Sequence, residues 1–274
     1  MLNFTVDSRA CTRCGTCAAD CPPRIISLDS GLPAIAPEKE AACYKCQHCL
    51  AICPTAAISI LGVAPASCTT LTGNLPTPEA VATLIKGRRS VRRYRDENLA
   101  PELLQQLLDV AWHAPTGVNS RQVRFTVVDD RRKMAEFRTN LLEELGKLVR
   151  RNALPAGFER YADFVRVWEE QGQDVLFRGA PHFLVASAPQ AVVTPTQDCL
   201  IALSYFELYA RVNGVGTVWD GLATLAVTQL VPVARQWLGI PDDHVVGYCM
   251  AFGPPAVSYQ RTVQHPAALI HRVS

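Results

Sequence analysis

Residues 11–22 read Cys-Thr-Arg-Cys-Gly-Thr-Cys-Ala-Ala-Asp-Cys-Pro, and residues 43–54 read Cys-Tyr-Lys-Cys-Gln-His-Cys-Leu-Ala-Ile-Cys-Pro. Both stretches follow the pattern Cys-x2-Cys-x2-Cys-x3-Cys-Pro, so each cysteine of the first run has an equivalent in the second. Three thiolates at steps of three residues can surround one iron–sulfur cube, while the fourth points away from it. The duplicated pattern therefore predicts two iron–sulfur sites.

This repeat resembles the bacterial two-cluster 4Fe-4S ferredoxins over about residues 1–62. In those proteins the fourth cysteine of each run ligates the other cluster. The resemblance implies two ligand sets: Cys11, Cys14 and Cys17 with Cys53, and Cys43, Cys46 and Cys49 with Cys21. Structural zinc is the alternative, but zinc sites usually pair two Cys-x2-Cys knuckles, which this spacing fits poorly. His48 is expected to face solvent or to pack on a cluster.

The composition limits the class of protein. A length of 274 residues suggests about two domains, and 49% hydrophobic residues can bury a full core without disulfides. A net charge of +2 argues against a dedicated nucleic-acid binder. The N-terminal segment lacks the features of a signal peptide, and the apolar stretch 222–234 is too short to span a membrane. We therefore expect a cytoplasmic protein, with no membrane or nucleic-acid partner and with reduced cysteines.

Three cysteines lie outside the repeat. Cys199 and Cys249 stand in apolar surroundings and are interpreted as inert core thiols. Cys68 lies in residues 63–78, a stretch rich in Pro, Ser, Thr and Gly that is predicted to be a linker.

Residues 79–274 are predicted to form a second domain. A helix is expected to begin at Thr77-Pro78-Glu79, with proline at its first position. Further predicted helices cover 101–112, 131–150, 158–170 and 195–213, and predicted strands cover 123–128, 182–186, 215–218 and 244–252. Helices dominate, and strands are spread between them. The pattern predicts an α+β architecture of about 200 residues.

Three segments of this domain suggest a ligand. Residues 86–95 contain six basic residues and no acid, and arginines beside a serine hydroxyl suit a phosphate, although a solvated basic face is the ordinary explanation. Residues 114–119, Ala-Pro-Thr-Gly-Val-Asn, could present polar groups to a planar heterocycle or form an ordinary turn. Residues 214–221, Gly-Val-Gly-Thr-Val-Trp-Asp-Gly, allow close backbone approach, but they lack the strand-then-helix context of a Rossmann site.

Together and in this order, the three segments resemble the nitroreductase family of FMN enzymes. The family's Arg-x-Ser-x-Arg run fits 88–92, its Ala-Pro-Ser/Thr-x-x-Asn turn fits 114–119, and its Gly-x-Gly-Thr-x-Trp segment fits 214–221. Its ending, with a Leu-Gly-Ile-Pro turn, an apolar strand and Gly-x-Pro before a basic residue, fits 238–261. The resemblance spans about residues 80–274. It implies a small two-cluster ferredoxin-like domain followed by a nitroreductase-like α+β domain.

The resemblance also implies FMN contacts. The phosphate and the pyrimidine side of the ring would be held by Arg88, Ser90 and Arg92, with help from Arg89 and closure by Arg261. In an obligate homodimer with FMN at the interface, the partner subunit would supply Pro115, Thr116, Gly117 and Asn119. The N5 side of the flavin would face the backbone amides of Asp220 and Gly221, and Trp219 belongs to the same segment.

Two features leave roles open. Where the family often has Gln-Pro-Trp, this chain has Arg121-Gln122-Val123, so the division of roles between Arg121 and Gln122 stays open. Asp220 is either a proton donor beside the flavin or a structural helix cap. No other acid or base stands out, and no catalytic side chain is named.

The predicted function follows from the fusion. Iron–sulfur clusters pass single electrons, whereas a flavin stores two, so we expect a reductase that takes electrons from an external low-potential donor. Its acceptor would be a planar small molecule of the nitroaromatic, quinone or enone type. Two alternatives remain: an NAD(P)H-oxidising flavoprotein that exports electrons through the clusters, or a non-enzymatic redox carrier or sensor subunit.

Overall fold

The computed structural model describes residues 1–273, which divide into two compact units. The first contains Met1–Pro76 together with Val118–Ser120, and the second contains Thr77–Gly117 and the residues from Arg121 onward. The domain limits drawn from the sequence, at residues 62 and 78, stay predictions.

The first unit repeats its secondary structure as it repeats its cysteines. Two short helices, α1 (Thr16–Ala19) and α2 (His48–Ala51), begin at equivalent positions of the two cysteine runs. Two short strands, β2 (Ile26–Ser27) and β4 (Ile58–Ser59), follow the two runs at equivalent positions as well. β4 pairs with β1 (Thr5–Val6) and β2 pairs with β3 (Ala34–Ile35), both antiparallel, and a 3-10 helix covers Pro37–Ala42.

The backbone strain of this unit is duplicated as well. Left-handed conformations recur at three pairs of equivalent positions: Arg13 and Lys45, Gly15 and Gln47, and Arg24 and Ala56. Five of these six residues are not glycine, and a left-handed backbone is unfavourable for them. The strained positions lie in or directly after the two cysteine runs.

The core of the first unit is small. Its most buried side chains are those of Leu2, Ile58 and Ile60, and buried Cys17 and Cys49 complete it. A unit of this size with so few apolar side chains usually depends on a metal or on disulfides for stability. Within the described residues, none of its cysteines forms a disulfide.

The second unit places helices on both faces of an antiparallel sheet with strand order β5-β6-β8-β7. The strands are β5 (Arg124–Val128), β6 (His182–Pro189), β7 (Gly216–Trp219) and β8 (His244–Gly253). The longer helices are α3 (Pro78–Gly87), α4 (Pro101–Ala111), α5 (Arg131–Arg150), α6 (Arg160–Gln171) and α7 (Pro195–Val212). The stretch between β7 and β8 contains α8 (Gly221–Leu225), a π-helical turn (Ala226–Leu230) and α9 (Val233–Trp237).

The side chains of β6 alternate between the two faces of the sheet, which explains why helices cover both faces. Phe183 and Val185 join a core with α5 and α6 on one face, whereas Leu184 and Ala186 join a core with α4 and α7 on the other. Because successive side chains of a strand point to opposite faces, a strand that is apolar throughout must be covered on both sides. α7 therefore lies directly against the sheet.

The predicted α+β class is confirmed, and so are the longer helices and all four strands, within a few residues at their ends. The helix at Pro78 begins as expected, with Thr77 accepting from the Ala80 amide at 3.2 Å. The sequence missed the helical turns between Gly221 and Trp237, because that apolar stretch has no helical period and contains Pro232. In residues 1–273 no helix is long and apolar enough to cross a membrane.

Candidate cofactor sites

Two cavities in the first unit are each lined by four cysteines. One is lined by Cys21, Cys43, Cys46 and Cys49, with Pro22, Ile25, Ile26, Ile35 and Ile60 among its other walls. The other is lined by Cys11, Cys14, Cys17 and Cys53, with Pro54 and Ile58 beside them. Each cavity takes three cysteines from one run and the fourth from the other run. These are the two sets that the ferredoxin resemblance implies, although ligation itself stays a prediction.

The chemistry of these cavities suits a cationic cluster. Burial, with smaller contributions from the neighbouring Cys46, Cys43 and Cys21, raises the pKa of Cys49 to about 11. Burial likewise raises the pKa of Cys17, with contributions from Cys14 and Cys53. Four thiolates confined together need positive charge, which bound iron supplies. Backbone amides also point at sulfur: Ala57 donates to Cys53 Sγ at 3.2 Å and Lys45 donates to Cys43 Sγ at 3.4 Å.

Within residues 1–273, no group of three or more His, Cys, Asp or Glu side chains is placed to hold a single metal ion.

In the second unit, the arginine segment, which is residues 86–95, is fixed to β7. The Val91 amide donates to the Thr217 carbonyl at 2.8 Å, and the Val91 side chain lies against Gly216. A Cβ at Gly216 would stand only 2.8 Å from Val91 Cγ2, so the close approach of the two segments requires glycine. β7, which begins at the second glycine of Gly-Val-Gly, thus holds the predicted phosphate segment in place.

The Arg88 side chain is anchored by a buried acid of α7. Its Nη1 donates to Glu207 Oε1 at 3.1 Å, and Glu207 is only 6% exposed. The same carboxylate accepts from Thr217 Oγ1 at 3.3 Å and, through Oε2, from Trp219 Nε1 at 2.9 Å. Glu207 thereby joins the arginine segment to both ends of β7.

An arginine-lined cavity lies beside this anchor. Its walls include Arg88, Arg89, Arg211, Gly216 and Tyr259. No acidic side chain is among its lining residues. Guanidinium groups and glycine backbone in one small cavity suit a phosphate group. Arg211, near the end of α7, is a residue that the sequence analysis missed.

The C-terminal segment folds back along the arginine run. Tyr259 donates through its hydroxyl to the Ser90 carbonyl at 3.1 Å, and the Ala256 amide donates to the Arg93 carbonyl at 2.9 Å. This pairing brings exposed Arg261 to a second cleft, which it shares with Arg211 and Tyr259. Arg89 and Arg92 use their own guanidinium groups on nearby carbonyls, of Arg88 and Ser90 respectively.

A second buried acid of α7 holds the turn at residues 114–119, which the sequence analysis considered as a contact for a planar heterocycle. Asp198 Oδ1 accepts from the Gly117 amide at 3.0 Å and from Thr194 Oγ1 at 2.8 Å, and Asp198 is 3% exposed. Thr116 in turn accepts from the Arg121 amide through Oγ1 at 3.0 Å, while Pro115 is exposed. Gly117 in this turn is therefore tied to the first turn of α7.

Asn119 and Arg121 adopt roles that the sequence did not predict. Asn119, one of the residues that belong to the first unit, donates through Nδ2 to the Tyr44 carbonyl at 2.8 Å. Arg121 folds over the Trp112 ring, 5.0 Å from its centroid, and donates to the Ala114 carbonyl at 3.2 Å. Gln122 is exposed. Arg121 thus packs within the protein, whereas Gln122 faces outward.

The structure corrects the expectation for Asp220. Its backbone amide donates to the Cys249 carbonyl at 2.9 Å as part of the sheet, so only the Gly221 amide is left for the flavin. The Asp220 side chain caps α8 by accepting from the Ala223 amide at 2.8 Å. Its second oxygen is buried without a hydrogen-bond partner, and burial raises the pKa of the carboxyl to about 7.

Two models of known protein families match this chain. Residues 85–254 match the model of the nitroreductase family, which covers more than half of the chain. The chain belongs to the nitroreductase family. Residues 10–58 of this nitroreductase-family chain match a 4Fe-4S dicluster domain. The protein is therefore an oxidoreductase of that family fused to a dicluster domain, and both resemblances seen in the sequence are confirmed.

Individual relatives agree with this placement. The nitroreductase-family chain is 28% identical to a putative NADH dehydrogenase/NAD(P)H nitroreductase of Archaeoglobus fulgidus, over 65% of this chain and 86% of that protein. A protein of the same description from Methanothermobacter thermautotrophicus is 26% identical over 64% of this chain and 78% of its own length. A crystal structure of a nitroreductase with bound FMN from Desulfitobacterium hafniense superposes with a TM-score of 0.54 at 25% identity, covering 72% of this chain and all of that one.

Two of the residues missed in this nitroreductase-family chain share one property. Asp198 and Glu207 are acids that lie in α7 on the face that buries Cys199, Leu203, Phe206 and Ala210. An acid at a helical position where apolar neighbours recur is costly to bury unless it is paired, and it therefore points to a partner elsewhere in the chain. That signal was present in the sequence, but the partners of the acids could not be read from it.

Proposed function

We propose that the protein binds FMN and two 4Fe-4S clusters and passes electrons from an external low-potential donor through the clusters to the flavin. The reduced flavin would then serve a planar small-molecule acceptor. The observation that carries the proposal is the presence, in one nitroreductase-family chain, of two cavities that are each lined by four cysteines.

The direction of flow rests on redox chemistry. Ferredoxin-type clusters have low potentials, roughly −400 mV, and carry one electron at a time. FMN, when bound, collects two electrons and delivers them together. A chain that carries both cofactors is suited to combine single low-potential electrons into a two-electron reduction.

The flavin contacts are proposed from the geometry of the second unit. The phosphate would lie in the cavity of Arg88, Arg89 and Arg211, with Ser90, Arg92 and Arg261 beside it. The ring would face Trp219 and the Gly221 amide. In the proposed homodimer, the partner subunit would supply its Pro115–Asn119 turn at the interface, and the hold of Asp198 on Gly117 would keep that turn rigid.

The acceptor class is proposed as nitroaromatic, quinone or enone, each of which is planar and takes two electrons. A second candidate calls for a direct comparison, because two relatives are described as NADH dehydrogenase/NAD(P)H nitroreductase. In that version NAD(P)H reduces the flavin and the clusters export single electrons.

The test is an anaerobic acceptor screen on the full chain with its cofactors reconstituted. A nitroaromatic, a quinone and an enone would each be offered with a reduced ferredoxin, with NADH or with NADPH as the donor. The proposal expects acceptor reduction with the ferredoxin and little with the nicotinamides. Turnover with NAD(P)H alone would favour the second candidate, and no turnover with any donor would favour a carrier or sensor role.

A further inference from the structure

Glu207 occupies an unusual place among the ion pairs of residues 1–273. Most of these pairs are exposed, and only two have an acid side chain less than a tenth exposed: Glu207 with Arg88, and Asp174 with Arg138. Asp174 also accepts from the Phe177 and Gly179 amides, so it fixes its own loop. Glu207 instead accepts only from side chains, which belong to Arg88, Thr217 and Trp219.

Those three donors lie on segments far apart in the chain. Arg88 precedes Glu207 by 119 residues, whereas Thr217 and Trp219 follow it by 10 and 12. A buried carboxylate needs several donors to offset its desolvation, and all of its donors here belong to the segments predicted to hold the flavin. The carboxylate therefore fixes their positions relative to one another.

Charge in the arginine cavity adds a second argument. Arg88, Arg89 and Arg211 line it, and Glu207 neutralises Arg88 by direct contact. Two uncompensated guanidinium charges then remain, which matches a phosphate monoester near its dianionic form. Arg88 uses one N–H of Nη1 on Glu207 and keeps further donors on its planar fork for a ligand.

We propose that Glu207 is a positioning residue of the cofactor site: it aims Arg88 at the FMN phosphate and ties that arginine to the Trp219 end of β7. This inference rests on the proposed binding of FMN. It does not depend on the electron donor, on the acceptor or on the direction of electron flow.

The test measures flavin affinity rather than activity. Full-length protein freed of flavin would be titrated with FMN and with riboflavin, which lacks the phosphate. Glu207→Gln removes the charge that orients Arg88, and Arg88→Gln removes the phosphate donor itself. Glu169→Gln is the matched control, because Glu169 pairs with Arg150 at 2.8 Å on the exposed surface.

We expect Glu207→Gln to weaken FMN binding roughly tenfold and to leave riboflavin binding within about twofold of the wild type. The double variant with Arg88→Gln should bind FMN no more weakly than Arg88→Gln alone, because both changes remove one interaction. Glu169→Gln should change neither affinity. If Glu207→Gln does not fold, Glu207→Asp keeps the charge and shortens the reach, and it should show the same selective loss.

Unchanged FMN affinity, or equal losses for FMN and riboflavin, would overturn the inference, as would additive losses in the double variant. Failure of the wild-type chain to bind either flavin would instead overturn the proposed function.

Discussion

The two units build their sites in opposite ways. Each cluster cavity takes three closely spaced cysteines from one run, and the fourth comes from the end of the other run. The arginine cavity is assembled from segments near residues 88, 211, 216 and 259, and an acid at position 207 sets its geometry. A site whose residues are closely spaced in the chain can be recognised from the sequence. A site whose residues come from distant segments can be recognised only in part.

The difference also concerns stability. The cluster cavities belong to a unit with a small core and several strained turns, so bound iron should stabilise it strongly. The arginine cavity belongs to a unit with two extensive cores, so its flavin should add to a fold that is already stable.

The largest effect is expected from Cys53 and Cys21, because each of them lines the cavity of the other cysteine run. Cys53→Ala should remove the cluster of Cys11, Cys14 and Cys17, and thus lower iron content by about half and destabilise the first unit. Cys21→Ala should do the same to the other cluster. Iron and sulfide analysis with EPR of the reduced protein measures this.

Cys68→Ala is the matched control, because Cys68 is exposed in the predicted linker and lines neither cavity. Flavin content should stay unchanged in all three variants. A Cys53→Ala protein that keeps both clusters intact would contradict the exchange of the fourth ligand between runs.

A smaller effect is expected from Asp220. Its pKa rises from 3.8 in the unfolded chain to about 7 in the folded protein because it is buried. The unfolded state therefore releases its proton first, and stability falls as the pH rises from about 4 to about 7, by at most about 4 kcal/mol. Asp220→Asn keeps the cap on Ala223, so its gain in unfolding free energy over wild type should grow across that pH window.

Asp130→Asn provides the opposite sign. Asp130 caps α5 at the surface, and its pKa is lowered by the hydrogen bond from Asn98 and by the Lys133 and Arg132 amides. This substitution should cost stability at neutral pH and cost less as the pH falls below about 4. Chemical denaturation over a pH series measures both variants, and a pH-independent gain in Asp220→Asn would refute a buried titrating acid.

The smallest effect concerns the contact between β7 and the arginine segment. Gly216→Ala would place a Cβ against Val91, which must move, at a cost of about 1–3 kcal/mol. Because Arg88 and Ser90 precede Val91 directly in this segment, FMN affinity should fall as well. Gly214 has open space around its Cβ position but a positive φ, so Gly214→Ala should cost stability without moving Val91. Equal flavin affinities in the two variants would show that this contact does not shape the site.

Sequence reasoning succeeded where the chemistry is periodic. The duplicated cysteine run predicted two iron–sulfur sites, its resemblance to the ferredoxins implied the grouping of cysteines found around each cavity, and proline with Thr77 predicted the start of α3. It failed where partners are distant: nothing near Glu207 names Arg88, and nothing near Asp198 names Gly117. It also assigned the Asp220 amide to the flavin, because a one-dimensional motif does not show that the Cys249 carbonyl already accepts that N–H.

The central claim is that low-potential electrons reach the flavin through the clusters, and anaerobic stopped-flow reduction of the reconstituted chain tests it most directly. Wild-type protein, Cys53→Ala, Cys21→Ala and Cys68→Ala would each be mixed with a reduced ferredoxin and, separately, with NADH. The account predicts rapid bleaching of the flavin band by the ferredoxin in wild type and Cys68→Ala, and slow bleaching in at least one cluster variant. Equally fast flavin reduction in all four proteins, or fast reduction by NADH alone, would contradict it.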